Sequence, residues 1–70
     1  MKIKIGNTVE HSLFGGDVLI GVIEEIEICK QGEKSGRPVK QCDTSKHNNG
    51  VLTLNNGHWC YFYQIRKVID

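Results

Sequence analysis

The chain has 70 residues and a formal net charge of +1. Its length predicts one small domain, residues 1–70, near the lower size limit for a hydrophobic core that is stable without disulfides or bound metal ions. The near-neutral charge argues against a protein that coats nucleic acid, because such proteins are usually strongly basic. Three cysteines, an odd number, fit reduced thiols, and no apolar run suits a signal peptide or a membrane span, so we expect a cytoplasmic protein.

The charges are divided unevenly along the chain. Residues 1–29 carry two lysines against five acidic residues, whereas residues 30–70 carry seven basic and three acidic residues. A basic half can form a local positive patch even in a nearly neutral protein.

The first half is predicted to be short strands joined by glycine turns. Ile3 and Ile5 alternate with lysines, residues 8–11 form a short strand, and residues 14–17 form a loop around paired glycines. Residues 18–29 are the longest apolar run and predict a long strand, bent at Gly21 or bulged near Glu24 and Glu25. A helix is disfavoured because evenly spaced β-branched residues suit a pleated sheet. The residues of this strand expected to face the core are Val18, Ile20, Val22, Ile26 and Ile28.

The second half is predicted to be polar at first and then rich in aromatic residues. Residues 30–37 form a polar loop closed by Pro38, residues 39–46 form a polar edge strand, and residues 47–50 form a turn. A short helical turn and a closing strand are expected over residues 64–68.

The clearest turn signal is Asn56-Gly57, which lies between two β-rich runs and predicts a hairpin. A two-residue loop would place Trp59 and Tyr61 on the buried face with Leu52 and Leu54, because directly opposed residues share a face. A three-residue loop, 55–57, would reverse the parity. The leucines would then face inward with Cys60 and Phe62, and Trp59 and Tyr61 would face outward with Val51 and Thr53. The Asn-Gly preference favours the two-residue loop.

Five or six short strands without an amphipathic helix predict an all-β fold, and a small closed or nearly closed barrel, since closure removes unpaired edges. Residues 6–15 (GNTVEHSLFG) followed by residues 21–26 (GVIEEI) resemble the opening of SH3-like small barrels of the Tudor and KOW kind. The resemblance is strongest to the tail domain of bacterial repair helicases and to CarD-type modules that interact with RNA polymerase. Their opening reads Gly-Asp-x-Val-x-His-x-x-Phe-Gly, so Asn7 replaces the usual Asp, and residues 17–20 form an insertion.

Residues 59–68 are similar to the short 3-10 turn and last strand of these barrels. The resemblance covers about half the chain. It implies an SH3-like barrel of five to six strands with protein or nucleic-acid partners. It implies no catalytic residue.

The favoured function is a non-enzymatic adaptor, of bacterial or phage origin and monomeric or weakly dimeric, that binds a protein partner such as one of the transcription or DNA-repair machinery. Its candidate contact residues are Phe14, Trp59, Tyr61 and Tyr63. The alternative is nucleic-acid binding by a basic hairpin beside the aromatic residues, weighed against a merely soluble polar hairpin. The basic residues concerned are Lys30, Lys34, Arg37, Lys40 and Lys46.

A zinc module is the third alternative. Structural zinc sites usually draw their ligands as close pairs, and only His58 and Cys60 are close among the three cysteines and three histidines. We therefore expect no metal and no cofactor, with Cys29 and Cys60 as small core residues and a domain that folds without zinc. A Cys/His nucleophile pair needs a third group that orients the base, and no motif in the sequence supplies one. We therefore expect no catalytic residue. The acidic residues 24, 25 and 27 are interpreted as a solvated strand face.

Overall fold

A computed structural model of the chain describes residues 1–29, 36–47 and 49–70. These residues form eight strands and two short 3-10 turns, which confirms the predicted all-β class. The strands are β1 (Lys2–Lys4), β2 (Thr8–Ser12), β3 (Val18–Ile28), β4 (Arg37–Val39), β5 (Gln41–Asp43), β6 (Gly50–Leu54), β7 (Trp59–Tyr61) and β8 (Ile65–Val68); the 3-10 turns are Thr44–Lys46 and Phe62–Gln64. No helix in the described ranges is long and apolar enough to cross a membrane.

The strands form two antiparallel sheets. The larger has six strands in the order β7-β6-β3-β2-β8, with β4 also paired to β3, and the smaller consists of β1 and β5. Because β7 and β8 lie at the two ends of that order, the sheet is not closed into a barrel within the described residues. The turn Phe62–Gln64 connects these two end strands directly, as the predicted short turn before a last strand requires.

The core is formed by the inward side chains of both sheets. Its buried apolar members are Ile3, Val9, Ile23, Ile26, Leu52, Leu54, Cys60, Phe62 and Ile65. Two polar side chains, His11 and Gln64, are buried beside them. Gln64 is hydrogen-bonded through both ends of its amide, whereas His11 contacts Asn56 through Nε2 and has no partner at Nδ1.

The predicted bulge in β3 is present, but the predicted inward parity is wrong for the first half of the strand. Ile23 is opposite Leu54 and Glu25 is opposite Thr53, so Glu24 is the extra residue of a bulge. A bulge reverses the side-chain alternation; Ile23 and Ile26 are therefore both buried, whereas Ile20 is 59% exposed and Val18 is 41% exposed.

The favoured register of the β6–β7 hairpin is also wrong, and the three-residue loop is the one observed. Thr53 is opposite Trp59, and Val51 is opposite Tyr61. A two-residue type I′ loop requires positive φ at both of its residues, but in the described residues only glycines adopt positive φ, and Gly57 is the one in this turn. Trp59 and Tyr61 therefore lie on the outer face.

The segment between β3 and β6 differs from its prediction. Residues 30–35, most of the predicted polar loop, and residue 48 of the predicted turn lie outside the described residues. The single polar strand predicted over residues 39–46 is instead two short strands, β4 and β5, followed by the turn Thr44–Lys46. The closing strand is present as β8, paired with β2.

Candidate functional site

Four aromatic side chains from three separate segments meet on the outside of the molecule and form what we name the aromatic surface: Phe14, Trp59, Tyr61 and Tyr63. Tyr61 lies at its centre, with ring centroids 5.2 Å from Trp59, 5.4 Å from Tyr63 and 6.2 Å from Phe14. Trp59 and Phe14 pack edge-on to Tyr61, whereas Tyr63 stacks on it at 14°. Such geometries are the favourable ones for aromatic pairs. The structure thus brings together all four residues predicted to contact a protein partner.

The aromatic surface is widely accessible. Phe14 is 76% exposed, Tyr63 is 73% exposed and Trp59 is 54% exposed, while Tyr61 is half-buried between them. Isolated apolar side chains on a surface are ordinary, but a contiguous group of large ones marks a contact site more often.

A buried glutamine holds the separate segments of this surface together. The Gln64 side chain accepts a hydrogen bond from the Tyr61 backbone N–H (2.8 Å) through Oε1 and donates one to the Ser12 carbonyl oxygen (2.8 Å) through Nε2. The Ser12 hydroxyl in turn donates to the Gln64 carbonyl oxygen (3.4 Å). These bonds fasten the end of β2 to the turn Phe62–Gln64, and Phe14 follows Ser12 by two residues. Phe14 therefore lies against Tyr61.

Two carboxylates share the outer sheet face with the aromatic residues. Glu25 is opposite Thr53, which is opposite Trp59, and Glu27 is opposite Val51, which is opposite Tyr61. Since directly opposed residues share a face, Glu25 and Glu27 form a row, which we name the acidic row, two strands away from the aromatic row. Neither carboxylate forms an ion pair within the described residues.

Of the basic residues proposed for nucleic acid, those that the structure describes do not join this surface. Lys30 and Lys34 lie outside the described residues. Arg37 is paired with Ile28 across the ladder, so it has the position of the other sheet face, not the one that carries the acidic row. The Lys40 carbonyl oxygen accepts a hydrogen bond from the Ile5 N–H, and Lys46 ends the 3-10 turn that begins beside Met1. Both therefore belong to the region around the small sheet.

The cysteine and the histidine considered as a close pair of zinc ligands differ widely in solvent exposure. Cys60 is fully buried and His58 is exposed, although only one residue separates them. Burial raises the pKa of the Cys60 thiol to about 11, so this side chain is protonated at neutral pH. Among the described residues, no group of three or more His, Cys, Asp or Glu side chains could hold a metal ion. That the domain folds without zinc stays a prediction.

Sequence reasoning missed a polar contact beneath the hairpin turn. His11 is fully buried, and its Nε2 lies 3.1 Å from Nδ2 of Asn56, while its Nδ1 has no hydrogen-bond partner. Burial lowers the pKa of His11 below its ordinary value of 6.5, and the nearby His58 lowers it further. The signal in the sequence was the parity of β2, which gives His11 the same face as Val9. The turn asparagine that reaches it could not be anticipated.

A concave region lies away from the aromatic surface, where β1 and β5 meet the end of β8. It encloses about 630 Å³ and is lined by side chains of mixed character, among them Lys2, Lys4, Cys42 and Val68. Asp43 at its rim is already paired with the N-terminal ammonium group and with Ser45.

Comparison with models of known families, with curated proteins and with solved structures gave no match to this chain. The class of molecule is therefore defined by the structure alone: a small all-β domain with an exposed aromatic surface bordered by carboxylates.

Proposed function

We propose that this chain is a non-enzymatic binding module that engages a protein partner through the aromatic surface. The observation that carries the proposal is the convergence of Phe14, Trp59 and Tyr63 on Tyr61 while all three remain mostly exposed. Aromatic side chains are enriched at protein interfaces, because they bury a large area and lose few rotatable bonds. Three of them held in contact, with no cover from the described residues, are suited to a partner surface.

The proposed fold family is the SH3-like small barrel of the Tudor and KOW kind. In its support, consecutive strands β2, β3, β6 and β7 are neighbours, apart from the inserted β4 and β5, and β8 returns to pair with β2 after a 3-10 turn. In such a family, the expected partners are proteins or nucleic acids, and the cytoplasm is the proposed compartment.

Nucleic acid is the less favoured partner. Exposed aromatic rings can stack on bases, but single-strand binding also needs a positive groove that follows the phosphates. On the same sheet face, one strand beyond the neighbouring β6, lie Glu25 and Glu27, which would repel phosphate, and Arg37 has the register of the other face.

The proposal is tested by capturing partners from a lysate of the source organism with immobilised domain. The double variant Phe14→Ser/Tyr63→Ser removes two exposed rings, and the control Ile20→Ser/Ile69→Ser removes two exposed apolar side chains elsewhere. We expect a protein that is retained by wild type and control and lost with the first variant. Equal retention by all three would overturn the proposal.

Titration with labelled single- and double-stranded oligonucleotides separates the two partner classes. A nucleic-acid module would bind with micromolar affinity at moderate salt and would weaken steeply as salt is added, because binding releases counterions. We expect no such binding. Micromolar binding that the Phe14→Ser/Tyr63→Ser variant abolishes would replace the protein partner by nucleic acid.

A further inference from the structure

We infer that the partner presents an arginine side chain, which is held on the outer sheet face between the acidic row and the aromatic surface. This inference rests on the proposed function and adds the chemistry that the partner must carry. It follows from the register of three neighbouring strands, which places two carboxylates and two aromatic rings along parallel lines on one face.

The two lines are separated by one strand. Neighbouring strands lie about 4.8 Å apart, so the backbones of β3 and β7 are roughly 10 Å apart on this face. Between them, β6 presents Thr53 and Val51, both half-buried and both shorter than the side chains on either side. The result is a shallow trough with acidic residues along one side and aromatic residues along the other.

The width and chemistry of this trough suit a guanidinium group. A planar guanidinium can stack on the face of Trp59 or Tyr61 and at the same time donate two parallel hydrogen bonds to the carboxylate of Glu25. The Glu27 carboxylate lies towards Gly36, on the β4 side of the acidic row, and adds negative charge from there. A lysine ammonium would satisfy the charge but would stack poorly, and an acidic or phosphate-bearing partner would be repelled.

The neighbours of the acidic row strengthen the argument. On the side away from the aromatic residues, Glu27 is opposite Pro38 of β4 and its carboxylate lies beside Gly36, and neither residue carries a side-chain charge. Within the described residues the only ion pairs are those of the N-terminal ammonium with Asp43 and of Arg66 with Glu10. In that part of the chain, no cation of the protein's own occupies the trough.

The test uses the fluorescence of Trp59, because it is the only tryptophan in the chain and it forms one side of the trough. The probe is a blocked hexapeptide of alternating glycine and arginine. Matched peptides carry lysine or the uncharged isostere citrulline instead of arginine. We expect a saturable change in Trp59 emission with the arginine peptide, several-fold weaker binding of the lysine peptide and no binding of the citrulline peptide.

The carboxylates are tested with Glu25→Gln/Glu27→Gln, which keeps side-chain shape and removes two charges. We expect the affinity for the arginine peptide to fall about tenfold, the loss of one or two charge-assisted contacts. The control Glu10→Gln/Asp70→Asn removes the same charge from β2 and from the residues after β8, and it should bind as wild type. Far-UV circular dichroism of each variant establishes that the fold is retained.

The outcomes separate this inference from the proposed function. Equal binding of the citrulline peptide, equal losses in the two charge variants, or no binding of the arginine peptide would overturn the arginine preference. If lysate capture still depended on Phe14 and Tyr63 in those cases, the protein-binding function would stand without it. If capture were indifferent to these two residues, the proposed function would fail, whatever the peptides show.

Discussion

Nδ2 of Asn56 lies 3.1 Å from Nε2 of His11, and this contact joins the tip of the β6–β7 hairpin to the buried side of β2. The same amide group donates to the Ile20 carbonyl oxygen (3.3 Å), and its oxygen accepts from the His58 N–H (3.0 Å). Gly21 makes room for it, because a Cβ there would lie 2.8 Å from Nδ2 of Asn56. The hairpin tip is thus held against β2 and β3 in the three-residue form, and that form turns Trp59 outward.

We expect the free energy of unfolding to decrease as the pH falls below about 6.5. The folded state lowers the pKa of His11, so in this range the unfolded chain, with an ordinary histidine pKa near 6.5, binds more protons. The stabilisation is complete above pH 6.5 and is lost as the pH approaches the lowered value. Protonation would also turn Nε2 from an acceptor into a donor that faces the Asn56 amide N–H.

Urea unfolding between pH 5 and pH 7.5 measures this effect. His11→Gln, whose side-chain oxygen can accept from Asn56, should remove most of the pH dependence, whereas His47→Gln should keep it. Asp43 does not contribute in this window, because hydrogen bonds from Ser45 lower its pKa to about 2. The titratable neighbour of His11 is His58, 6.4 Å away between ring centroids; the residues opposite it on β3 and β8 are the apolar Leu19 and Ile65. An unchanged slope in His11→Gln would contradict the assignment.

Gly50→Ala should destabilise the domain, because the new Cβ would overlap the Cε2 and Cζ atoms of the Phe62 ring. Phe62 is buried in the core and cannot move without opening a cavity, so we expect a loss of about 1–3 kcal/mol or more. Gly15→Ala is the matched control, since nothing lies within 4 Å of its Cβ position and its φ is not positive. Thermal unfolding of the two variants decides the matter; similar midpoints would argue against the packing of Phe62 on Gly50.

Ile23→Ala should cost far more stability than Ile20→Ala. Ile23 is 1% exposed, so its truncation should lower the free energy of unfolding by about 2–5 kcal/mol. Ile20 is 59% exposed on the other face of β3, and its truncation should cost under about 1 kcal/mol. Denaturant unfolding of both variants reports directly on the side-chain parity of β3. A larger loss for Ile20→Ala than for Ile23→Ala would contradict the observed register and support the sequence prediction that Ile20 faces the core.

Gln64→Met should weaken both the fold and the proposed binding. The substitution keeps the approximate shape but leaves the Ser12 carbonyl oxygen and the Tyr61 N–H without their present partners. Both groups are partly buried, so the cost is up to about 1–3 kcal/mol for each. Gln41→Met changes an exposed glutamine and should be nearly neutral. Partner capture at a temperature where both variants remain folded would show whether Gln64 holds Phe14 against Tyr61. Full capture by Gln64→Met would contradict that role.

Much of the fold follows from local sequence patterns. β-Branched alternation, glycine loops and the lack of amphipathic helices predicted the all-β class, the bulge near Glu24 and the final turn and strand, because each depends on neighbouring residues. The four candidate contact residues were also identified from the sequence, since aromatic residues are the usual anchors of protein interfaces, although the favoured two-residue loop placed Trp59 and Tyr61 on the buried face.

Which face each residue occupies was decided only in three dimensions. Strand alternation has a period of two, so one extra residue in β3 and one in the hairpin loop reversed the faces of Ile20 and Trp59. The hairpin register depends on Asn56 reaching His11, 45 positions away, and the aromatic surface depends on Gln64 reaching Ser12, 52 positions away. Local propensity contains no information about contacts at such separations. The sequence therefore determined which elements form, whereas tertiary hydrogen bonds determined which side chains those elements expose on the outer face.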